Sequence, residues 1–108
     1  MENKRGANCP VELTLSLIGG KWKGIILYHL IEDKKRFGEL RKFMPNITQR
    51  MLTKQLRELE SDGLVHRKVY RVVPPKVEYS LTEQGKSLKN TILSLEKWGK
   101  NYQKQRKL

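Results

Sequence analysis

Between Thr48 and Arg57 the chain reads Thr-Gln-Arg-Met-Leu-Thr-Lys-Gln-Leu-Arg. If this stretch is helical, Arg50, Thr53, Lys54 and Arg57 fall on one side and Leu52, Leu56 and Leu59, at i, i+4 and i+7, on the other. The polar side carries chemistry suited to nucleic acid. Arginine can bond guanine through two parallel hydrogen bonds, threonine can meet a base or a thymine methyl, and lysine or arginine can hold phosphates. Thr48 and Gln49, at the start of the same helix, complete the candidate set. The ordinary alternative is a solvated charged face. The preceding turn and the charge of the whole chain favour the binding face.

The turn is Met44-Pro45-Asn46-Ile47. Pro45 closes a preceding short helix because it lacks an N–H and clashes with the turn before it. Thr48 opens the next helix as an N-cap, and Met51 stands where a capping box would need Glu or Gln. Helix, tight turn, helix over Phe37 to Asp62 is the layout of a helix-turn-helix, whose second helix enters the major groove.

The 108 residues carry 23 Lys+Arg against 11 Asp+Glu, a formal net charge of +12. Such a balance points to an anionic partner. The length predicts one domain, 1–108, with a modest core. No apolar run is long enough to span a membrane, and no secretion signal is visible at the N-terminus, so the chain is expected to be soluble and cytoplasmic. Cys9 is the only cysteine. It excludes an intrachain disulfide and a cysteine-based structural zinc site. Cys9, His29 and His66 are too scattered to suggest a metal site, no Ser-His-Asp or Cys-His pair can be placed, and Gly19-Gly20-Lys21 lacks phosphate-loop spacing. No metal, cofactor or enzymatic activity is expected.

Other elements must position the helix-turn-helix. Residues 1–8 are polar and basic and are expected to be loose. A helix over about 10–18 begins with Pro10 at its first position. It has one apolar stripe at Val11, Leu15 and Ile18 and a second at Leu13 and Leu17, so it needs two partners: the core, and a second surface that could be another subunit. Gly19-Gly20 ends it. A crowded apolar helix over about Lys21 to Glu32 should be largely buried, with His29 a core or interface residue. Phe37, Leu40 and Met44 face the core.

After Gly63, in the usual position past a helix end, the period changes to two. Val65 to Tyr70 and Val77 to Leu81 predict antiparallel strands around Arg71-Val72-Val73-Pro74-Pro75-Lys76. A basic hairpin directly after a recognition helix reads as a wing, whose cations Arg67, Lys68, Arg71 and Lys76 could straddle phosphates of the neighbouring minor groove. Thr82 caps a last helix, continuous over 82–103 and ~33 Å long at 1.5 Å per residue. Its apolar stripe, Leu88, Ile92, Leu95 and Tyr102, widened by Leu93 and Trp98, should overhang the core and seek a partner chain. The fold class is thus α+β and mostly helical: a winged helix-turn-helix with a two-stranded β-hairpin wing between terminal helices.

Several stretches together carry a family resemblance. They are Cys9-Pro10-Val11; Gly19-Gly20-Lys21-Trp22 with Ile25 to Leu30; Phe37 to Arg41; Asn46 to Thr53; Leu56 to Val65; and Pro74 to Gly85. In this order, from about residue 7 to 104, the chain resembles the HxlR-type winged-helix transcriptional regulators of bacteria, relatives of the MarR-like repressors. The resemblance implies a homodimer built from the terminal helices and two recognition helices reading a two-fold-related operator in double-stranded DNA. Its half-sites would lie about one helical turn, ~34 Å, or a multiple of it apart. The dimer residues would then be Val11, Leu15, Ile18, Leu88, Ile92, Leu95, Trp98 and Tyr102.

In several members of that family a cysteine just before the first helix senses electrophiles or oxidants, and Cys9 occupies that position. A thiol at a helix N-terminus, near Lys4 and Arg5, can have a lowered pKa. The plain alternative is a small buried apolar residue. With one cysteine per chain, oxidation yields an intersubunit disulfide, a mixed disulfide with a small thiol, or a higher oxidation state. Two rival functions remain: a winged helix that binds RNA or protein, since fold alone does not fix function, and a small enzyme with Cys9 as nucleophile, which lacks a placeable base.

Overall fold

A computed structural model describes residues 9–108; the expectation for residues 1–8 lies outside them. The elements run α1 (Pro10–Ile18), α2 (Lys23–Glu32), α3 (Phe37–Phe43), α4 (Gln49–Ser61), β1 (Val65–Tyr70), β2 (Lys76–Leu81), α5 (Glu83–Lys86) and α6 (Lys89–Arg106). No described helix is long and apolar enough to cross a membrane.

The core is where α4 meets α2 and α3. Ile26, Leu27 and Leu30 of α2, Leu40 of α3, Met44 and Ile47 of the turn, and Leu52, Leu56 and Leu59 of α4 are all buried. At roughly 1.5–3 kcal/mol for each fully buried aliphatic side chain, this cluster is the main favourable term of the fold. Leu64, Val65 and Tyr79 extend it under the base of the hairpin.

β1 and β2 pair antiparallel, Val65 with Leu81 through Tyr70 with Lys76. A pairing that no local pattern announces adds to this sheet. Lys35, in the link before α3, joins Tyr79 as an isolated antiparallel bridge.

Three expectations need correction. α2 starts at Lys23, not Lys21, because Gly20 takes a positive φ of 74° and the chain turns through Lys21 and Trp22 first. α2 is not uniformly buried: Ile25 and Tyr28 lie on the surface, on a face that opens into a groove beside α1 and α6. The last helix is not continuous, since Ser87 and Leu88 have ψ values of −15° and −4° and separate α5 from α6. Packing explains this break. Gly85 is pressed against the Leu64 carbonyl so closely that a Cβ there would lie 2.1 Å from that oxygen, which pins α5 to the hairpin base while α6 leaves along α2. Among the dimer residues expected, Ile18 and Ile92 are buried in the protomer and Leu88 is partly buried against the same core. Val11, Leu15, Leu95, Trp98 and Tyr102 remain exposed.

Candidate nucleic-acid interface

The segment Phe37–Ser61 forms the two helices and tight turn expected of it. Glu39 accepts from the Arg36 N–H at 2.8 Å, tightening the start of α3. The Thr48 hydroxyl accepts from the Met51 N–H at 3.0 Å, so it is the N-cap of α4. That bond satisfies one of the orphan donors of the first turn. The other end of α4 closes at Asp62, and Gly63 takes the left-handed φ of 75° that glycine adopts without strain.

With Leu52, Leu56 and Leu59 turned inward, Gln49, Arg50, Lys54 and Arg57 are exposed and Thr53 is half-buried. These side chains, with Thr48, Met51 and Glu58, line a hollow of about 890 Å³ on the outer face of α4. The Thr53 hydroxyl donates to the Gln49 carbonyl at 2.9 Å, which leaves its methyl and lone pairs to face outward. Sequence reasoning found the cations but missed the acid beside them. Glu58 receives the ammonium of Lys23 at 2.7 Å, and Lys23 is buried in α2.

The four wing cations do not form one surface. Lys68 and Tyr70 of β1 lie opposite Glu78 and Lys76 of β2, so all four share a face. The ammonium groups of Lys68 and Lys76 stand 4.7 and 4.4 Å from the Tyr70 ring centre. Lys76 also pairs with Glu78 at 3.8 Å, as does Lys34 at 3.7 Å. A hydrogen bond with Tyr70 holds the Glu78 carboxyl below its ordinary pKa, and the two lysines add to the effect. Arg67 pairs across the ladder with Tyr79 on the other face and is exposed. Arg71 stands at the tip beside exposed Val72 and Val73. His66 is exposed at the start of the wing.

A groove of about 600 Å³ runs between α1, α2 and α6, lined by residues that include Leu15, Ile25, Tyr28, Leu95 and Glu96. The Tyr28 hydroxyl donates to Glu96, and this raises the tyrosine pKa. His29 stacks on Phe43 with ring centres 4.4 Å apart, and its burial lowers its pKa. It is half-buried and lies outside the core cluster. Among the described residues no group of His, Cys, Asp and Glu is arranged to hold a metal ion.

Cys9 is exposed, contrary to the small-apolar alternative, and is the N-cap residue of α1. Its pKa is lowered by the backbone N–H of Glu12 and then that of Val11. Both donors belong to the free first turn of the helix, where negative charge is favoured. Lys4 and Arg5 lie outside the described residues.

Comparison with known proteins decides the family. The sequence model of the HxlR-like helix-turn-helix matches residues 17–107. The chain belongs to the HxlR-like helix-turn-helix family. Among HxlR-like relatives, an uncharacterized HTH-type transcriptional regulator of Bacillus subtilis, YdeP, is 68% identical over 94 residues, covering 87% of this chain and 73% of that one. A solved structure of the redox regulator HypR in its oxidized form is 64% identical, with a TM-score of 0.84, over 86% of this chain and 96% of that chain. Quinone-bound YodB from B. subtilis is 35% identical, with a TM-score of 0.72, over 86% and 99% of the two chains. The HxlR-like fold is the winged helix-turn-helix, and the chain is a transcriptional regulator of that class.

Proposed function

We propose that this regulator binds a two-fold-related operator in double-stranded DNA as a homodimer, represses by occupying that site, and is switched by modification of the Cys9 thiol. One observation carries the DNA reading. α4 buries its three leucines and turns Arg50, Lys54 and Arg57 outward, beside a cationic hairpin. Thr48, Gln49, Arg50, Thr53, Lys54 and Arg57 read or seat on the major groove, while Arg67, Lys68, Arg71 and Lys76 serve the phosphates beside it.

The dimer reading rests on what the protomer leaves uncovered: Val11 and Leu15 on α1, and Leu95, Trp98 and Tyr102 on α6. Large exposed apolar side chains on adjoining helices favour a partner surface. Ile18, Leu88 and Ile92 support that surface from within. The thiol reading rests on an exposed cysteine with a lowered pKa and on similar structures described as a redox regulator in its oxidized form and as quinone-bound YodB. Oxidation joins two Cys9 sulfurs across the dimer, or one sulfur to a small thiol, with two electrons and two protons passing to the oxidant.

The test begins with fragments selected by the protein from its host genome, which yields the operator and its half-site spacing. Arg50→Ala and Arg57→Ala are expected to lower the ratio of operator to random-DNA affinity in gel-shift titrations at fixed salt. Equal losses on both DNAs would refute base reading by α4, and tighter binding to structured RNA than to operator would favour the RNA-binding alternative.

A further inference from the structure

We propose that Lys23 is a positioning residue for DNA reading: through its ion pair with Glu58 it sets the rotation of α4 about its own axis. The inference rests on the reading of α4 as the helix that meets bases.

The contact is close, and its lysine end is buried. Lys23 Nζ lies 2.7 Å from Glu58 Oε1, with the lysine side chain 9% exposed and the glutamate 39%. A bond of this length between charged groups is directional. The apolar part of the seat of α4 is not. Leu52, Leu56 and Leu59 meet Ile26, Leu27 and Leu30 through branched apolar surface, which resists separation more than rotation. On a helix of this diameter a turn of about 10° carries side-chain ends sideways by about 1 Å. That is enough to spoil a two-point hydrogen bond to a base.

Burial of the lysine also argues for orientation over stability. Holding a lysine out of water costs free energy that its attraction to a half-exposed carboxylate offsets only in part, so this ammonium is a weak source of stability. A methionine at position 23 would fill a similar volume without a charge, yet a lysine reaches from α2 to α4. Its second effect is local. Glu58 lines the same hollow as Arg50, Lys54 and Arg57, where an uncompensated carboxylate would repel phosphate, and the Lys23 ammonium offsets that charge from behind.

Lys23→Met, Glu58→Gln and the double variant test this, with affinity for operator and for random DNA measured at one salt concentration beside urea unfolding. Each single variant is expected to lose stability, Glu58→Gln the more because it strands a buried ammonium. The double variant is expected to recover the urea midpoint while its operator-to-random ratio stays about tenfold below wild type, the size of one mismatched base pair. A double variant with wild-type midpoint and wild-type ratio would overturn the proposal. If the double variant does not fold, Lys23→Arg replaces it, since it keeps the charge and moves the donor. A lowered ratio at an unchanged midpoint supports positioning, and an unchanged ratio overturns it. Arg50→Ala is measured alongside. If it leaves the ratio intact, the reading of α4 itself fails; if it lowers the ratio and the Lys23 variants do not, this inference alone fails.

Discussion

The backbones of Lys35 and Tyr79 exchange two hydrogen bonds, the Lys35 N–H donating at 2.9 Å and the Tyr79 N–H at 2.8 Å. The chain entering the helix-turn-helix is thereby stitched to the second strand of the wing. These two bonds tie helix and hairpin to each other through the backbone. Lys35→Pro removes one donor and strands the Tyr79 carbonyl. It is expected to cost about 1–3 kcal/mol more than Lys35→Ala, which keeps both bonds, as read by urea denaturation.

The hairpin base is fixed a second time by contact. The Thr82 hydroxyl donates to the Gly63 carbonyl at 2.6 Å and accepts from the Gly85 N–H at 3.0 Å, while Gly85 lies against Leu64. Gly85→Ala drives a methyl toward a backbone oxygen that cannot move without shifting the start of β1. The expected loss is about 1–3 kcal/mol. A urea midpoint equal to wild type would mean that α5 lifts off the hairpin freely.

What the sequence disclosed follows from where local rules act alone. The caps at Thr48 and Thr82, the end of α4 at Gly63, and the inward leucines of α4 all depend on neighbours within a turn or two, and all are found in the fold. The bridge at Lys35, the ion pair of Lys23 and the break at Ser87 depend on residues far away in the chain, and no periodicity encodes them. Lys23 is the sharpest case. A charged residue in an apolar helix reads as its solvent edge, yet Lys23 is buried and its ammonium meets Glu58 of α4.

The cations of the wing should not contribute equally to DNA binding. Arg71 stands exposed at the tip, whereas Lys76 lies over Tyr70 and pairs with Glu78. Removing a cation that neutralises one phosphate reduces the slope of log affinity against log salt by about 0.9. Arg71→Ala is therefore expected to weaken operator and random DNA alike and to reduce that slope by about one unit. Lys76→Ala should change it by less than half as much. Equal slopes for the two variants would show that Lys76 leaves Glu78 when DNA binds.

Cys9 permits a prediction with a definite sign. The N–H groups of Glu12 and Val11 stabilise the thiolate, so the folded pKa lies below that of the unfolded chain. Thiolate is the reactive form. Alkylation by iodoacetamide, followed against pH, should therefore reach half its limiting rate at a lower pH for the folded protein than for the same protein in urea. By linkage, a depressed pKa also favours the folded state above the unfolded pKa, and that contribution fades as pH falls through the folded value. The described donors are peptide groups within the first turn of α1, not distant cations, so added salt should move the folded midpoint little. A folded midpoint at or above the unfolded one would mean that the first turn of α1 does not hold the thiolate. Cys9 would then react as an ordinary exposed thiol, and the case for a built-in switch at that position would lose its physical basis.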